Sequence, residues 1–187
     1  YIIPKRSAPV TIDGKLDAGE WLGLDRKKAM VIEQYYTGES KKGPLSYAWM
    51  LYDDKYLYIA TVNDPDPFTE GMPPRAKNHV PMFEVSIESH NGPHSRSWWI
   101  DDMPTGPIYI FWGSADGKAQ YKNNFGMAHQ KIMEVEKTIE YKASILDKEK
   151  SSWVSEMKIP FESMGLKPAA SEQQAFNIGV YKRGGWF

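Results

Sequence analysis

The sequence contains no cysteine. That absence excludes disulfides, thiolate metal sites, a cysteine nucleophile and c-type haem attachment. It contains no run of about 18 apolar residues, so no membrane-inserted helix is expected. It has no excess of charge of one sign: 23 basic side chains stand against 24 acidic ones, a formal net charge of -1. A chain so balanced sets up no long-range field that would draw it to nucleic acid or to an anionic membrane. The loops that mark common chemistries are missing as well: there is no G-x-S-x-G, no H-E-x-x-H, no P-loop and no G-x-G-x-x-G. The four histidines, His79, His90, His94 and His129, are scattered, and His90 and His94 flank a turn. The expectation is a protein that is not an enzyme. The opening, Tyr1-Ile2-Ile3-Pro4-Lys5, has neither an initiator Met nor a signal-peptide pattern, which suggests a piece excised from a longer protein.

Aromatic residues, by contrast, are plentiful: 7 Trp, 11 Tyr and 7 Phe, 13% of 187 residues. Most should be core or sheet residues. Alternation with a period of two residues dominates the chain. Leu45 to Tyr52 reads as a strand with two apolar faces, one set by Tyr47, Trp49 and Leu51 and the other by Ala48, Met50 and Tyr52, as expected of a strand buried on both sides. Asp53-Asp54-Lys55 is turn chemistry, and Tyr56 to Val62 returns to complete a hairpin. Asn63 to Asn78 is rich in proline and reads as a long loop. Met82 to Glu88 places Phe83, Val85 and Ile87 on one face and Glu84, Ser86 and Glu88 on the other. Further strands are expected over Arg96 to Ile100, Ile108 to Trp112, Lys131 to Val135, Ile139 to Leu146, Trp153 to Ile159 and, last, Phe176 to Tyr181. Pro160 to Gly165 fits one short helical turn, and Asp17 to Trp21 another that buries Trp21. No stretch keeps a 3.6-residue period over three turns. The fold class expected is all-β, a jelly-roll-like antiparallel β-sandwich with one or two short helical turns, forming a single domain over residues 1–187.

Four segments, in order, resemble one family. Val10-Thr11-Ile12-Asp13-Gly14-Lys15-Leu16-Asp17-Ala18-Gly19-Glu20-Trp21 is similar to the opening of family 9 carbohydrate-binding modules. Leu51-Tyr52-Asp53-Asp54-Lys55-Tyr56-Leu57-Tyr58-Ile59-Ala60 resembles their first hairpin, and Phe83-Glu84-Val85-Ser86-Ile87 a later strand. Glu156-Met157-Lys158-Ile159-Pro160-Phe161, with Phe176-Asn177-Ile178-Gly179-Val180, resembles the closing segments. The resemblance implies a sugar-binding sandwich, often tethered to a glycan-degrading or cell-surface protein outside the cytoplasm. Its partner would be a polysaccharide or oligosaccharide. Most of the motif has a scaffold reading: Asp13-Gly14 and Asp53-Asp54 are turn signals, and Pro160 directs the chain.

Sugar binding needs aromatic faces for the C–H face of a pyranose and charged or amide groups for pairs of hydroxyls. Glu84 matches the position at which the family places a sugar-binding carboxylate, on a strand face turned away from Phe83 and Val85. Two departures are visible. Lys77 to Pro81 has no Trp where the family has one, and Gly179 stands where the family has a Gln on its last strand. Replacement aromatics are Trp98 and Trp99, which on a strand would face opposite sides, together with Trp112 before Gly113-Ser114 and Trp186 near the end of the chain. Arg96 and Arg183, each beside aromatics, are candidate hydroxyl binders. Packing at the edge of the core, or surface ion pairs, is the competing reading for each. Structural calcium, which the family often carries, would find oxygen-rich loops at Asp64 and Asp66 and at Asp101-Asp102, neither with EF-hand spacing.

Two other functions stay open on these residues. Related sandwiches bind haem for electron transfer, and nine Met with four His could supply axial ligands. A purely structural interaction module would instead present a large apolar patch.

Overall fold

A computed structural model describes residues 2–34, 42–64, 80, 82–88, 108–123, 129–147, 152–164, 166, 175–182 and 185–186. Among these, ten strands form two five-stranded sheets. Sheet A has the order β1 (Met30–Gln34), β2 (Lys42–Tyr52), β3 (Tyr56–Asn63), β8 (Ser152–Pro160), β7 (Glu140–Asp147). Sheet B has the order β10 (Gly185–Trp186), β9 (Ala175–Lys182), β4 (Met82–Glu88), β5 (Ile108–Ser114), β6 (Ala119–Asn123). All neighbouring strands are antiparallel. No helix among the described residues is long and apolar enough to cross a membrane.

The main core lies between the sheets. Ala48, Met50, Leu57, Ile59, Met157 and Ile159 of sheet A meet Phe83, Val85, Phe111, Tyr121 and Val180 of sheet B. The alternation seen in the sequence of β2, β3, β4 and β8 is the alternation between this core and the opposite faces. On sheet A the opposite face is also buried. Tyr47, Trp49, Leu51, Tyr58 and Ala60 form a second core with Val10 and Trp21, delivered by the N-terminal segment. That second layer is why β2 and β3 are apolar on both sides.

A single carboxylate fastens the N-terminal segment to this face. Glu156, on β8, is 0% exposed. Its Oε2 accepts from the backbone N–H of Asp13 at 3.0 Å and of Gly14 at 2.7 Å, and its Oε1 accepts from Trp21 Nε1 at 2.8 Å. Burial pushes the Glu156 carboxyl up from its ordinary range, and the three donors work against that push. Gly14 makes the approach possible. Its φ is +82°, and a Cβ there would lie 3.1 Å from Ser144 Oγ and 3.3 Å from Lys142 Cβ. The helical turn before Trp21 forms as expected, with Trp21 N–H donating to Asp17 O at 3.0 Å, and Trp21 is 0% exposed.

The β2–β3 hairpin is closed in the same way by Asp53. Its carboxylate accepts from Lys55 N at 2.7 Å, Tyr56 N at 2.8 Å and the Tyr58 hydroxyl at 2.7 Å. Burial alone would raise the Asp53 carboxyl. The Tyr58 hydroxyl, the two amides and the Lys158 charge outweigh it and hold the group below its ordinary value.

The structure corrects three readings and adds to them. Residues 131–135, expected as a strand, lie in a helix, α1 (His129–Glu136). Ile132 and Val135 stand three apart, a helical spacing, and Gln130, Lys131, Met133 and Glu134 are good helix formers. Two turns were too short to register as a period. Strand β5 runs on to Ser114, so Trp112 sits inside a strand and not at its end. The strand ending near Tyr181 is not the last, since Gly185–Trp186 pairs back onto Lys182 and Tyr181. Strands β1 and β6 were not expected at all. Residues 65–79 and the strand expected at 96–100 lie outside the described residues.

Two consequences follow for stability. In Glu156→Gln the amide nitrogen would face an N–H donor, leaving buried groups unpaired. Urea unfolding should show a loss of about 1–3 kcal/mol, and an unchanged midpoint would show that the carboxylate does not fasten the segment. Asp53 has a folded pKa below its unfolded one, so its contribution is present above the unfolded value and is lost as pH falls through the folded value. Asp53→Asn should therefore cost roughly 1 kcal/mol at pH 7, and the gap to wild type should shrink towards about pH 3. Equal gaps at both pH values would contradict this.

Candidate functional site

The outer face of sheet B carries the charged and aromatic groups. Strand β4 turns Phe83, Val85 and Ile87 into the core, and this places Glu84 and Ser86 on the other side. Register then fixes the neighbours. Glu84 lies opposite Trp112 on β5 and opposite Gly179 on β9. Trp112 Nε1 donates to Glu84 Oε2, and Ser86 Oγ donates to Glu84 Oε1 at 3.3 Å. Glu84 and Trp112 are both half-buried. Ser86 and Ile110, the next pair along the same face, are buried at 4% and 5% exposure. The site is thus the half-open end of a face that is closed further along.

This arrangement has definite chemical capacity. A carboxylate offers about four lone-pair directions, and Trp112 and Ser86 occupy two. The remaining directions can accept from a pair of hydroxyls. Gly179 places no side chain on the β9 flank of Glu84. The indole of Trp112 is fixed in angle by its bond to Glu84, so its ring is a positioned platform rather than a mobile one.

Strand β5 is held in place from inside the sandwich. Gly113, between Trp112 and Ser114, faces the core, where a Cβ would lie 2.6 Å from both Phe83 Cε1 and Tyr141 Cζ. The Tyr141 hydroxyl donates across the sandwich to Ser114 O at 2.9 Å. Burial raises the Tyr141 phenol far above its ordinary value, which keeps it a neutral donor at all physiological pH values.

The structure brings together two of the seven residues singled out in the sequence, Glu84 and Trp112. The backbone of Trp186 pairs with Tyr181, which pairs with Met82, two residues before Glu84. Trp112 and Trp186 therefore stand on strands to either side of β4. Arg96, Trp98, Trp99 and Arg183 lie outside the described residues. Of the candidate calcium ligands, Asp64 faces Arg26 at 3.6 Å, while Asp66, Asp101 and Asp102 lie outside the described residues. Among the described residues no three His, Asp or Glu side chains gather as a metal site. Sequence reasoning missed Ser86 as a partner of Glu84. Its spacing of two residues on the same strand was the available signal.

The comparisons with known proteins agree on the fold. The chain superposes on a family 9 carbohydrate-binding module from Caldicellulosiruptor kristjanssonii in complex with glucose, with TM-score 0.55 and 13% identity, covering 96% of this chain and 78% of that one. A structure of a family 9 module from the same organism with cellotriose gives TM-score 0.54 and 15% identity, over 96% and 76% of the two chains. A candidate carbohydrate-binding protein from Bacteroides uniformis gives TM-score 0.57 and 13% identity, over 97% and 83%. No family model matches the sequence, and no curated protein matches it. The domain is a family 9-like β-sandwich in fold.

The packing of Gly113 gives a direct check on how β5 is positioned. Gly113→Ala should overpack the Phe83–Tyr141 contact and lower stability by about 1–3 kcal/mol in chemical denaturation. A neutral outcome would mean that β5 and β7 do not approach as described.

Proposed function

We propose that this domain binds carbohydrate without chemically changing it, through the outer face of sheet B around Glu84 and Trp112. The observation that carries the reading is the cross-strand pair itself: a half-buried carboxylate bound to an indole N–H, with lone pairs left for hydroxyls. The fold shared with modules seen with glucose and cellotriose supports it and suggests a β-glucan oligosaccharide as the first ligand to try. In this reading Trp186, across β9 from Glu84, is a second aromatic of the site, and Arg96, Trp98, Trp99 and Arg183 are further contacts. The chain would act as one sandwich domain, 1–187, tethered to a glycan-degrading or cell-surface protein and exposed outside the cytoplasm.

Isothermal titration with cellotriose and glucose, followed by a wider glycan array, tests the proposal. Glu84→Gln and Trp112→Ala should each weaken binding at least roughly tenfold, about 1.4 kcal/mol, while far-ultraviolet circular dichroism stays that of the wild type. Unaltered affinity in both variants, or no binding to any glycan by a folded protein, would refute it.

A further inference from the structure

Away from the outer face of sheet B, the sandwich interior contains a second polar feature. Three side chains occupy one transverse row on the core side of sheet A: Ser46 on β2 pairs with Asn63 on β3, and Asn63 pairs with Trp153 on β8. Directly opposed side chains in such rows stand about 4.5–5.5 Å apart at Cβ. Ser46 and Asn63 are 0% exposed and Trp153 is 1% exposed. Ser46 Oγ, Asn63 Oδ1 and Trp153 Nε1 are all buried with no hydrogen-bond partner among the described residues. Orphaned buried polar atoms are rare, and three in one row are not a chance defect of packing.

The orientation of Asn63 is fixed by its other end. Asn63 Nδ2 donates to Thr61 Oγ1 at 3.0 Å, and Thr61 Oγ1 lies 2.7 Å from Ser155 Oγ. Asn63 Oδ1 therefore offers an acceptor, Trp153 Nε1 offers a donor, and Ser46 Oγ can be either. A cation would be repelled by the indole N–H, and an anion by the amide oxygen. A neutral group able to donate and accept at once satisfies all three.

We propose that Ser46, Asn63 and Trp153 form an internal hydration site holding one or two ordered water molecules between the sheets. Buried waters make about three hydrogen bonds to otherwise unsatisfied groups, and the row supplies that set. The water joins the orphaned row to the Asn63–Thr61–Ser155 chain of hydrogen bonds, so the polar end of the sandwich interior is satisfied without a side chain reaching across it.

A crystal structure of the whole chain at about 1.5 Å should show one or two single-atom peaks within roughly 2.7–3.2 Å of these three atoms. In solution, the Trp153 indole proton of isotope-labelled protein should show a nuclear Overhauser effect to water of the sign given by a long-lived bound molecule. Asn63→Leu should remove both signals, and Ser46→Ala, the milder change, should weaken the solution signal with the fold intact. Direct hydrogen bonds among the three side chains, a multi-atom or metal density, or an indole signal to water that survives Asn63→Leu would overturn the proposal.

Discussion

Glu156 sits at the centre of the β8 strand with its carboxylate sealed under the N-terminal segment, 0% exposed. A charge in that position is costly unless each oxygen is engaged. Asp13, Gly14 and Trp21 engage both. Because two of the donors are backbone amides and the third is the indole of one of the two tryptophans in the second core, the interaction does more than neutralise a cost. It fixes where the N-terminal segment lies and seats Trp21 in the cluster that holds Trp49, Tyr58 and Ala60. Sheet A thereby becomes a layer buried on both sides, and the segments that resemble the start and the end of a family 9 module turn out to be two halves of one contact.

Sheet B inherits its role from that arrangement. Both inner faces supply the main core, and the outer face of sheet A is covered by the N-terminal segment. The outer face of sheet B is where a half-buried carboxylate and indole are paired. Its strand β5 is kept in position by contacts from the far sheet: Tyr141 packs on Gly113 and donates to Ser114 O. The Glu84–Trp112 part of the proposed binding surface is thus carried on strands whose positions are set by core packing.

Much of the fold was legible in the sequence because period-two patterns are local. Strands β2, β3, β4 and β8 each declare two faces over seven or more residues. What stayed hidden was either short or non-local. Strands β1 and β6 are five-residue edge strands, and α1 has eight residues, too few for a helical period to stand out. Nothing local in the sequence marks Glu156 as a buried anchor, since its partners lie about 140 positions away in the chain. Glu84 was singled out by the family resemblance, and alternation placed it on the face turned away from Phe83 and Val85. Its bond to Trp112 was not legible, because only the β4–β5 register brings together residues separated by 28 positions.

The central claim, that the Glu84–Trp112 pair on sheet B is the sugar-contacting surface, is tested most directly by titrating isotope-labelled protein with cellotriose and following amide and indole resonances. The account predicts saturable shifts of the Trp112 indole N–H and of the backbone amides of Glu84, Gly179 and their strand neighbours, with sheet A and the Glu156 contact undisturbed. Saturable shifts confined to sheet A, or none on β4, β5 and β9 at millimolar sugar, would contradict it.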